Sequence, residues 1–145
     1  MGLCRDLWAE NGRFNLDESK VREVIQRAFS KQGSILAGIG PVGKLEAMIL
    51  MLVTTSWYTD KPHLEELLLY VKPEHRRTAG TSNAGDLARF AKWCAETSGM
   101  PLQIGILSDI RTEGKRRLYE QHFNKPAGYF FVYDPTRTTA SDVAA

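Results

Sequence analysis

An anion-binding corner is the first chemistry that the sequence suggests. Arg76 and Arg77 follow an apolar segment, and the small and polar residues Thr78–Ala84 lead from them into a helix pattern. At such a junction the first N–H groups of the helix lack partners. Together with the helix dipole and the guanidinium groups, they can bind a phosphate or diphosphate. An ordinary surface loop with a Ser or Asn cap gives the same pattern, so both interpretations stay open here.

Two adjacent carboxylates lie inside a second candidate element. Glu65 and Glu66 interrupt the apolar run His63–Val71, which stops before Pro73 and is predicted to be a strand. Since side chains alternate along a strand, one carboxylate must point to each face. A carboxylate in a central strand needs a partner or a shifted pKa, which makes each a candidate general base. A solvated sheet edge is the alternative for both.

The spacing of apolar residues predicts the elements that position these groups. A helix is expected from Asn15, which can cap it while Glu18 completes a capping box. Short turns between the next three strands favour antiparallel pairing, and the later strand–helix–strand units favour parallel crossovers. The predicted fold is therefore a single α/β domain with a mixed, mostly antiparallel sheet flanked by helices. Its strands span 34–39, 46–58, 63–71, 102–107 and 127–133, and its later helices contain the stripe Leu87, Phe90, Ala91 and Cys94 and the segment 112–123.

Two further patterns concern burial. The run Leu67–Leu69 departs from alternation, as expected for a strand that is covered on both faces. Cys94 falls on an apolar helix stripe and is expected to be inert core. Neither Cys4 nor Cys94 has metal-ligand spacing around it, so no metal site is predicted.

Bulk composition limits the class of protein. With 145 residues, 43% hydrophobic and 25% charged, the chain is expected to form one compact domain over 1–135 and a flexible tail over 136–145. The net charge of +2 is compatible with a small anionic ligand but lacks the basic stripe of a nucleic-acid-binding module. We find no signal peptide, and the longest apolar run, Ala47–Val53, is too short to span a bilayer. A cytoplasmic protein that binds neither nucleic acid nor membrane is expected.

A family resemblance connects these observations. Val71-x-Pro73-Glu74-x-Arg76-Arg77, with the loop and helix that follow, resembles the central motif of the GNAT superfamily of N-acetyltransferases. In that motif the strand end and the loop hold the diphosphate of acetyl-CoA. Arg116–Phe123 is similar to the last helix of the superfamily, whose Tyr commonly protonates the departing CoA thiolate. The segment Trp57–Pro73 resembles small members found in phages and prophages, and the whole resemblance runs from about Ser34 to Tyr133.

The resemblance implies an enzyme and a set of site residues. The expected reaction is direct transfer of an acetyl group from acetyl-CoA, as co-substrate, to a primary amine. Tyr119 is then the general acid, and Glu65 or Glu66 is the base, with Glu65 ranked first. The implied acetyl-CoA contacts are Leu69, Tyr70, Val71, Arg76, Arg77, Thr78, Gly80, Ser82, Asn83, Ala84 and Thr112.

The sequence also departs from the superfamily pattern. The loop between Arg76 and Leu87 is longer than expected, the first strand of the superfamily is weak or absent before Asn15, and no clear seventh strand follows Tyr133. The alternative function is therefore a catalytically weak or inactive acyl-CoA-binding regulator of a host or phage protein. The acceptor, a small molecule or a protein, is not identified, and a homodimer is a candidate assembly.

Other residues allow two interpretations each. Trp57 and Tyr58 can line an acceptor cleft or pack in the core or at an edge. One residue of a basic cluster can bind the 3′-phosphate of CoA, although a solvated helix face is the default. The cluster consists of Arg111, Lys115, Arg116 and Arg117.

Overall fold

The described chain is a four-stranded sheet with helices on both faces. A computed structural model describes residues 1–12, 15–76, 82–106 and 112–128. Within these residues no helix is long and apolar enough to cross a membrane. The elements are α1 (Gly2–Asn11), α2 (Glu18–Phe29), β1 (Ser34–Ile39), β2 (Ala47–Thr55), β3 (Pro62–Val71), a 3₁₀ turn (Pro73–His75), α3 (Asn83–Ser98), β4 (Leu102–Gln103) and α4 (Thr112–His122).

The sheet is mixed and mostly antiparallel, as predicted. Its strand order is β1-β2-β3-β4. β1 pairs with β2 and β2 with β3 in antiparallel fashion, and β3 pairs with β4 in parallel fashion. The parallel contact is short, since only Leu64↔Leu102 and Glu65↔Gln103 are in register.

A β-bulge interrupts β3 at Leu67. Glu66 is opposite Met51 and Leu68 is opposite Leu50, so Leu67 is the extra residue of β3. An extra residue reverses the alternation, which is why Leu64 and Leu69 pack in the same core although five positions separate them. The bulge corrects our interpretation of the run Leu67–Leu69: Leu68 and Leu69 do face the two cores, but Leu67 is 43% exposed.

The sheet separates two apolar cores. The first lies against α3 and contains Ile49, Met51, Leu64, Leu87, Ala91 and Cys94. The second lies against α1 and α2 and contains Leu3, Cys4, Leu50, Leu68 and Tyr70. Cys94 is buried in the first core and its thiol is free, as expected.

The N-terminal helices differ from the prediction. No element was predicted for residues 2–11, although Leu3, Cys4 and Leu7 have the i, i+1, i+4 spacing of a short helix. The cap of α2 is Asp17 and not Asn15, because the Asp17 carboxylate accepts hydrogen bonds from the N–H groups of Ser19 (3.0 Å) and Lys20 (3.3 Å).

Several strand ends also differ. β2 stops at Thr55, and Trp57 and Tyr58 lie in the following turn, 97% and 72% exposed, so they neither line a cleft nor pack in the core. β4 has two residues, because 104–106 leave the sheet. Ala127 and Gly128 are not in a strand, and residues 129–145, which include the rest of the predicted last strand and the predicted tail, lie outside the described residues.

The other two helices match the prediction closely. Ser82 caps α3 through its hydroxyl, which accepts a hydrogen bond from the N–H of Gly85 at 3.2 Å. Gly99, with a φ of 67°, terminates α3 in the left-handed conformation that glycine adopts without strain. α4 begins at Thr112 as expected and ends at His122.

Candidate active site

A cleft of about 440 Å³ opens where β3 and β4 separate. The two strands stay paired only as far as Glu65, so the chain after Gln103 diverges from β3 at Glu66. α1 and α2 form one wall of the cleft, and α4 with the segment after β4 forms the other. Residues of several segments line the cleft. Among them are Cys4, Leu7 and Trp8 of α1, Glu66 to Leu69 of β3, Gly105 after β4, and Lys115 and Tyr119 of α4.

The bulge and the short β4 expose one edge of β3 to the cleft. Leu67, Leu68 and Leu69 line the cleft, whereas β4 pairs with β3 only before the bulge. A bulged strand bends away from its neighbour, and the backbone groups on an unpaired edge can bond to an extended ligand. The geometry therefore provides a place for a chain-like molecule with amide groups.

Glu66 places a carboxylate in the cleft that titrates near neutral pH. Burial raises its pKa from the ordinary 4.5 to about 7, while a long contact of 3.5 Å from the Gly105 N–H and the charge of Lys115 act in the opposite direction. A carboxyl group with this pKa is ionised in a substantial fraction of molecules at pH 7. It can accept a proton from an amine and remain basic enough to hold it.

Tyr119 brings a phenol to the same cleft from α4. Burial raises its pKa, and the negative charge of Glu66 raises it further, so the hydroxyl remains protonated at neutral pH. The Tyr119 ring contacts Phe123 edge to face, with ring centroids 5.9 Å apart. This arrangement places a protonated phenol in the same cleft as the Glu66 carboxyl group.

Lys115 lies one helical turn before Tyr119 and lines the same cleft. Burial lowers the pKa of its ammonium group. The carboxylates of Glu10 and Glu66 oppose this shift, and the charge of Arg76 adds to it. The predicted basic cluster is thus divided. Arg116 is on the surface, where it bonds to Glu113 (3.0 Å) and Glu120 (2.8 Å), whereas Lys115 faces the cleft and Arg111 is outside the described residues.

Arg76 ties the end of β3 to α1. Its Nε donates to the Val71 carbonyl at 2.8 Å, its Nη2 donates to the Glu10 carboxylate, and its guanidinium lies 5.4 Å from the centre of the Tyr70 ring. The Tyr70 hydroxyl also donates to Glu10, at 3.3 Å. Burial alone would raise the pKa of Glu10. The hydrogen bond and positive charge of Arg76, together with the hydrogen bond from Tyr70, outweigh burial, so the pKa of Glu10 is lowered. Arg76 is therefore well bonded within the protein.

The start of α3 keeps the features that suggested an anion site. Asn83 and Ala84 form its first turn after the Ser82 cap, where N–H groups have no helical acceptor. A Cβ at Gly85 would be in ordinary van der Waals contact, 3.5 Å from Nε2 of His122 at the end of α4. Arg77, Thr78 and Gly80, predicted to complete the phosphate loop, lie outside the described residues.

The structure brings together only part of the predicted set. Glu66, Leu69 and Tyr119 share the cleft. Glu65 is opposite Leu52 in the neighbouring strand while Glu66 is opposite Met51, so the two carboxylates face opposite sides of the sheet. The remaining described positions have different environments. Tyr70 is buried against α1, Val71 is in the core under α3, and Thr112 is the exposed first residue of α4.

Four contributors to this site were missed or misassigned in the prediction. Glu10 lies on a helix that was not predicted, and Leu67 was interpreted without the bulge. Gly105 was placed inside a strand that ends two residues earlier. Lys115 was grouped with the surface cations, although its spacing of four residues from Tyr119 would have placed both side chains on one helix face.

The fold of this chain is similar to that of several solved acetyltransferases. The ribosomal-protein-alanine N-acetyltransferase from Brucella melitensis biovar Abortus 2308 aligns with a TM-score of 0.60 and 18% identity over 92% of this chain and 88% of its own. AAC(6')-Iy, in complex with the bisubstrate analogue CoA-S-monomethyl-acetylneamine, aligns with a TM-score of 0.64 and 13% identity over 94% and 88%. The aminoglycoside 6'-N-acetyltransferase AAC(6')-IG from Acinetobacter haemolyticus aligns with a TM-score of 0.57 and 13% identity. The alignment covers 95% of this chain and 94% of its own.

These similarities establish the fold. The chain has the single-domain α/β fold of the GNAT acetyltransferases, which confirms the predicted fold class. The sequence itself matches no protein-family model and no curated protein.

Proposed function

We propose that this chain is an N-acetyltransferase that moves an acetyl group from acetyl-CoA to a primary amine by direct attack. One observation carries the proposal: a carboxyl group with a pKa of about 7 (Glu66) and a phenol with a raised pKa (Tyr119) line the same cleft, close enough for the charge of one to act on the other. A base and an acid in one cleft are what amine acylation by a thioester requires.

The cleft, the end of β3 and the start of α3 carry the groups that we propose for acetyl-CoA binding. The open β3 edge at Leu67–Leu69 offers backbone donors and acceptors to the amide-containing arm of the molecule. The first turn of α3, from Ser82 to Ala84, offers N–H groups and a positive dipole end to the diphosphate. In the proposed set, Tyr70 and Val71 contribute backbone, Arg76 contributes charge while bonded to Glu10, and Arg77, Thr78, Gly80 and Thr112 complete the contacts. When bound, acetyl-CoA supplies the acetyl carbonyl and a thiolate leaving group.

The residues of the chain then manage the protons. Glu66 accepts a proton from the acceptor amine, and Tyr119 donates a proton to the sulfur as it leaves. Glu66 replaces Glu65 as the preferred base because Glu66 lines the cleft, at the point where β3 and β4 separate, and Glu65 does not line it. Holding both reactants in line contributes further to the rate.

The test compares two adjacent carboxylates. The release of free CoA thiol is followed with acetyl-CoA and a panel of amines, and acetyl-CoA binding is measured by calorimetry. We expect Glu66→Gln and Tyr119→Phe each to lower kcat/KM by roughly a hundredfold with little change in acetyl-CoA affinity. Glu65→Gln is the matched control and should change kcat/KM by less than about threefold. The absence of acetyl-CoA binding to the wild-type chain would exclude the proposal.

A second candidate is an acyl-CoA-binding regulator of a host or phage protein with little or no catalysis. The loop between Arg76 and Leu87, which is longer than in the superfamily motif, supports it, because extra loop residues change the shape of the phosphate site. Thermal stabilisation by CoA without acetylation of any amine, including lysine-bearing peptides, would favour this candidate.

The setting of the reaction belongs to the same proposal. We place the protein in the cytoplasm, acting on a small-molecule or protein amine and without a nucleic-acid or membrane partner, and we keep the homodimer as the candidate assembly. The resemblance of Trp57–Pro73 to phage members of the superfamily supports a phage or prophage origin.

A further inference from the structure

The cleft contains an amine of the protein itself. Lys115 lies on the same face of α4 as Tyr119, and both line the cleft together with Glu66. Its surroundings differ from those of an exposed lysine such as Lys92, whose side chain is 52% exposed and pairs with Glu96 on the surface of α3. Lys115 is instead half-buried among the charged groups Glu10, Glu66 and Arg76.

This environment favours the neutral, nucleophilic form of the amine. Burial disfavours the ammonium ion, and the positive charge of Arg76 disfavours it further, against the opposing effect of Glu10 and Glu66. A lysine that is partly withdrawn from water is activated in the same way in enzymes that use lysine as a nucleophile. Lys115 therefore has a proton acceptor, Glu66, and a proton donor, Tyr119, in its own cleft.

We propose that Lys115 is an internal acetyl acceptor, so that the chain acetylates its own Lys115 side chain when acetyl-CoA is bound and no external amine fills the cleft. This inference rests on the proposed function, since it uses the same thioester and the same acid and base. It adds a modification site and a single-turnover reaction to that function.

The proposed step is balanced without any further reagent. The neutral Nζ of Lys115 forms a bond to the acetyl carbon as the carbon–sulfur bond breaks. Glu66 takes the proton lost by the nitrogen, and Tyr119 gives a proton to the sulfur, so that the products are N-acetyl-lysine and free CoA. Glu66 then returns its proton through solvent to Tyr119.

The modification would also alter the base. The positive charge of Lys115 lowers the pKa of Glu66 against the effect of burial. An acetylated Lys115 carries no charge, so Glu66 would become a weaker acid and the cleft would become narrower. We therefore expect the modified protein to turn over amines more slowly at neutral pH, which makes the modification self-limiting.

The experiment is peptide mapping by mass spectrometry after incubation of the full chain with acetyl-CoA alone. Trypsin does not cleave after acetyl-lysine, so the modification appears as the peptide Thr112–Arg116 carrying one acetyl group. The peptide that contains Lys92 reports background chemical acetylation in the same digest. We expect Lys115 to be acetylated at least roughly a hundredfold faster than Lys92, and this difference to fall about tenfold or more in Tyr119→Phe. Excess free CoA should suppress it.

The other outcomes separate the two proposals. If acetyl-CoA binds and external amines are acetylated while Lys115 stays unmodified, internal acetylation is wrong and the proposed function stands. If Lys115 and Lys92 react at equal rates that free CoA does not change, the labelling is chemical and the inference fails. If calorimetry detects no acetyl-CoA binding, both proposals fail. Mapping of the wild-type chain answers the question even if Tyr119→Phe does not fold.

Discussion

At the residue scale, the pKa of Glu66 determines how activity depends on pH. The general base must be ionised, and burial raises its pKa to about 7. We expect kcat/KM to rise with pH through about 7 and then to level off, with the inflection reporting the free enzyme. A rate profile from pH 5 to 9 tests this. In Glu66→Gln the residual rate should lose that inflection, and an inflection that persists in this variant would assign it to another group.

Individual residues show what sequence could and could not predict about the site. The types of the proposed base and acid could be named from the sequence, because a carboxylate in a strand and a Tyr in a family-like motif are visible in it. The choice between Glu65 and Glu66 could not be made from it, because that choice depends on the residue at which β4 separates from β3 and opens the cleft. The partner of Arg76 was unpredictable for a similar reason, since Glu10 is 66 positions away in the chain and lies on a helix that was not foreseen.

At the element scale, the bulge in β3 is predicted to hold the cleft open. Deletion of Leu67 would leave Glu66 opposite Met51 and Leu68 opposite Leu50, so both cores keep their residues while the extra residue is lost. We expect this deletion variant to fold, with β3 straighter and the separation from β4 reduced. Acetyl-CoA affinity should fall by about tenfold or more, which corresponds to roughly 1.4 kcal/mol of binding free energy.

Circular dichroism and calorimetry check this deletion. Leu67→Ala is the matched control, because it keeps the residue count and therefore the bulge while it removes most of the side chain. A deletion variant that binds acetyl-CoA as tightly as the wild type would show that the bulge does not form the cleft.

The attachment of α1 depends in part on one partly buried ion pair. The side chains of Arg76 and Glu10 are only 17% and 19% exposed, so removal of either leaves the other with an unpaired charge. We expect Glu10→Gln and Arg76→Gln each to lower the free energy of unfolding by about 1–3 kcal/mol. A double-mutant cycle should give a coupling energy of about 1–3 kcal/mol.

Urea unfolding of the four proteins in the cycle measures these values. The surface pair Lys92–Glu96, with a nitrogen–oxygen distance of 3.9 Å and both side chains more than half exposed, is the control and should give less than about 0.5 kcal/mol. Equal coupling energies for the two pairs would contradict the role assigned to burial.

Elements with regular apolar spacing were predictable, and those set by tertiary contacts were not. The stripe of α3 and the extent of α4 are local properties, and both were predicted closely. The short β4 depends on how far the chain can follow a neighbouring strand that bends away. The helix α1 has only a few apolar residues, and it is stabilised by packing on the sheet rather than by its own pattern.

At the scale of the whole molecule, the Glu66 site should reduce global stability at neutral pH. Its pKa is about 7 in the folded protein and close to the ordinary 4.5 in the unfolded chain, so the folded state binds the proton more tightly. The contribution of Glu66 to the free energy of unfolding is fully present below pH 4.5 and is lost as the pH rises through 7. We expect Glu66→Gln to be more stable than the wild type above pH 7, by up to about 3 kcal/mol.

Urea unfolding at a series of pH values measures this difference. The two proteins should have similar free energies of unfolding near pH 4, because the protonated carboxyl and the amide are both neutral. Glu65→Gln is again the control and should not reproduce the trend. A Glu66→Gln variant that is less stable than the wild type at pH 8 would contradict the assignment.

The two-residue contact between β3 and β4 has a consequence for how the molecule opens. β1, β2 and β3 are consecutive in sequence and fully paired, whereas β4 is joined to them by two positions only. Amide hydrogen exchange should therefore be slow in β1, β2 and β3 and fast at Leu102 and Gln103, because the pairing of these two residues can break without global unfolding. A long ligand bound along the open edge of β3 should therefore slow exchange at Leu102 and Gln103, because it bridges the two strands beyond their paired positions.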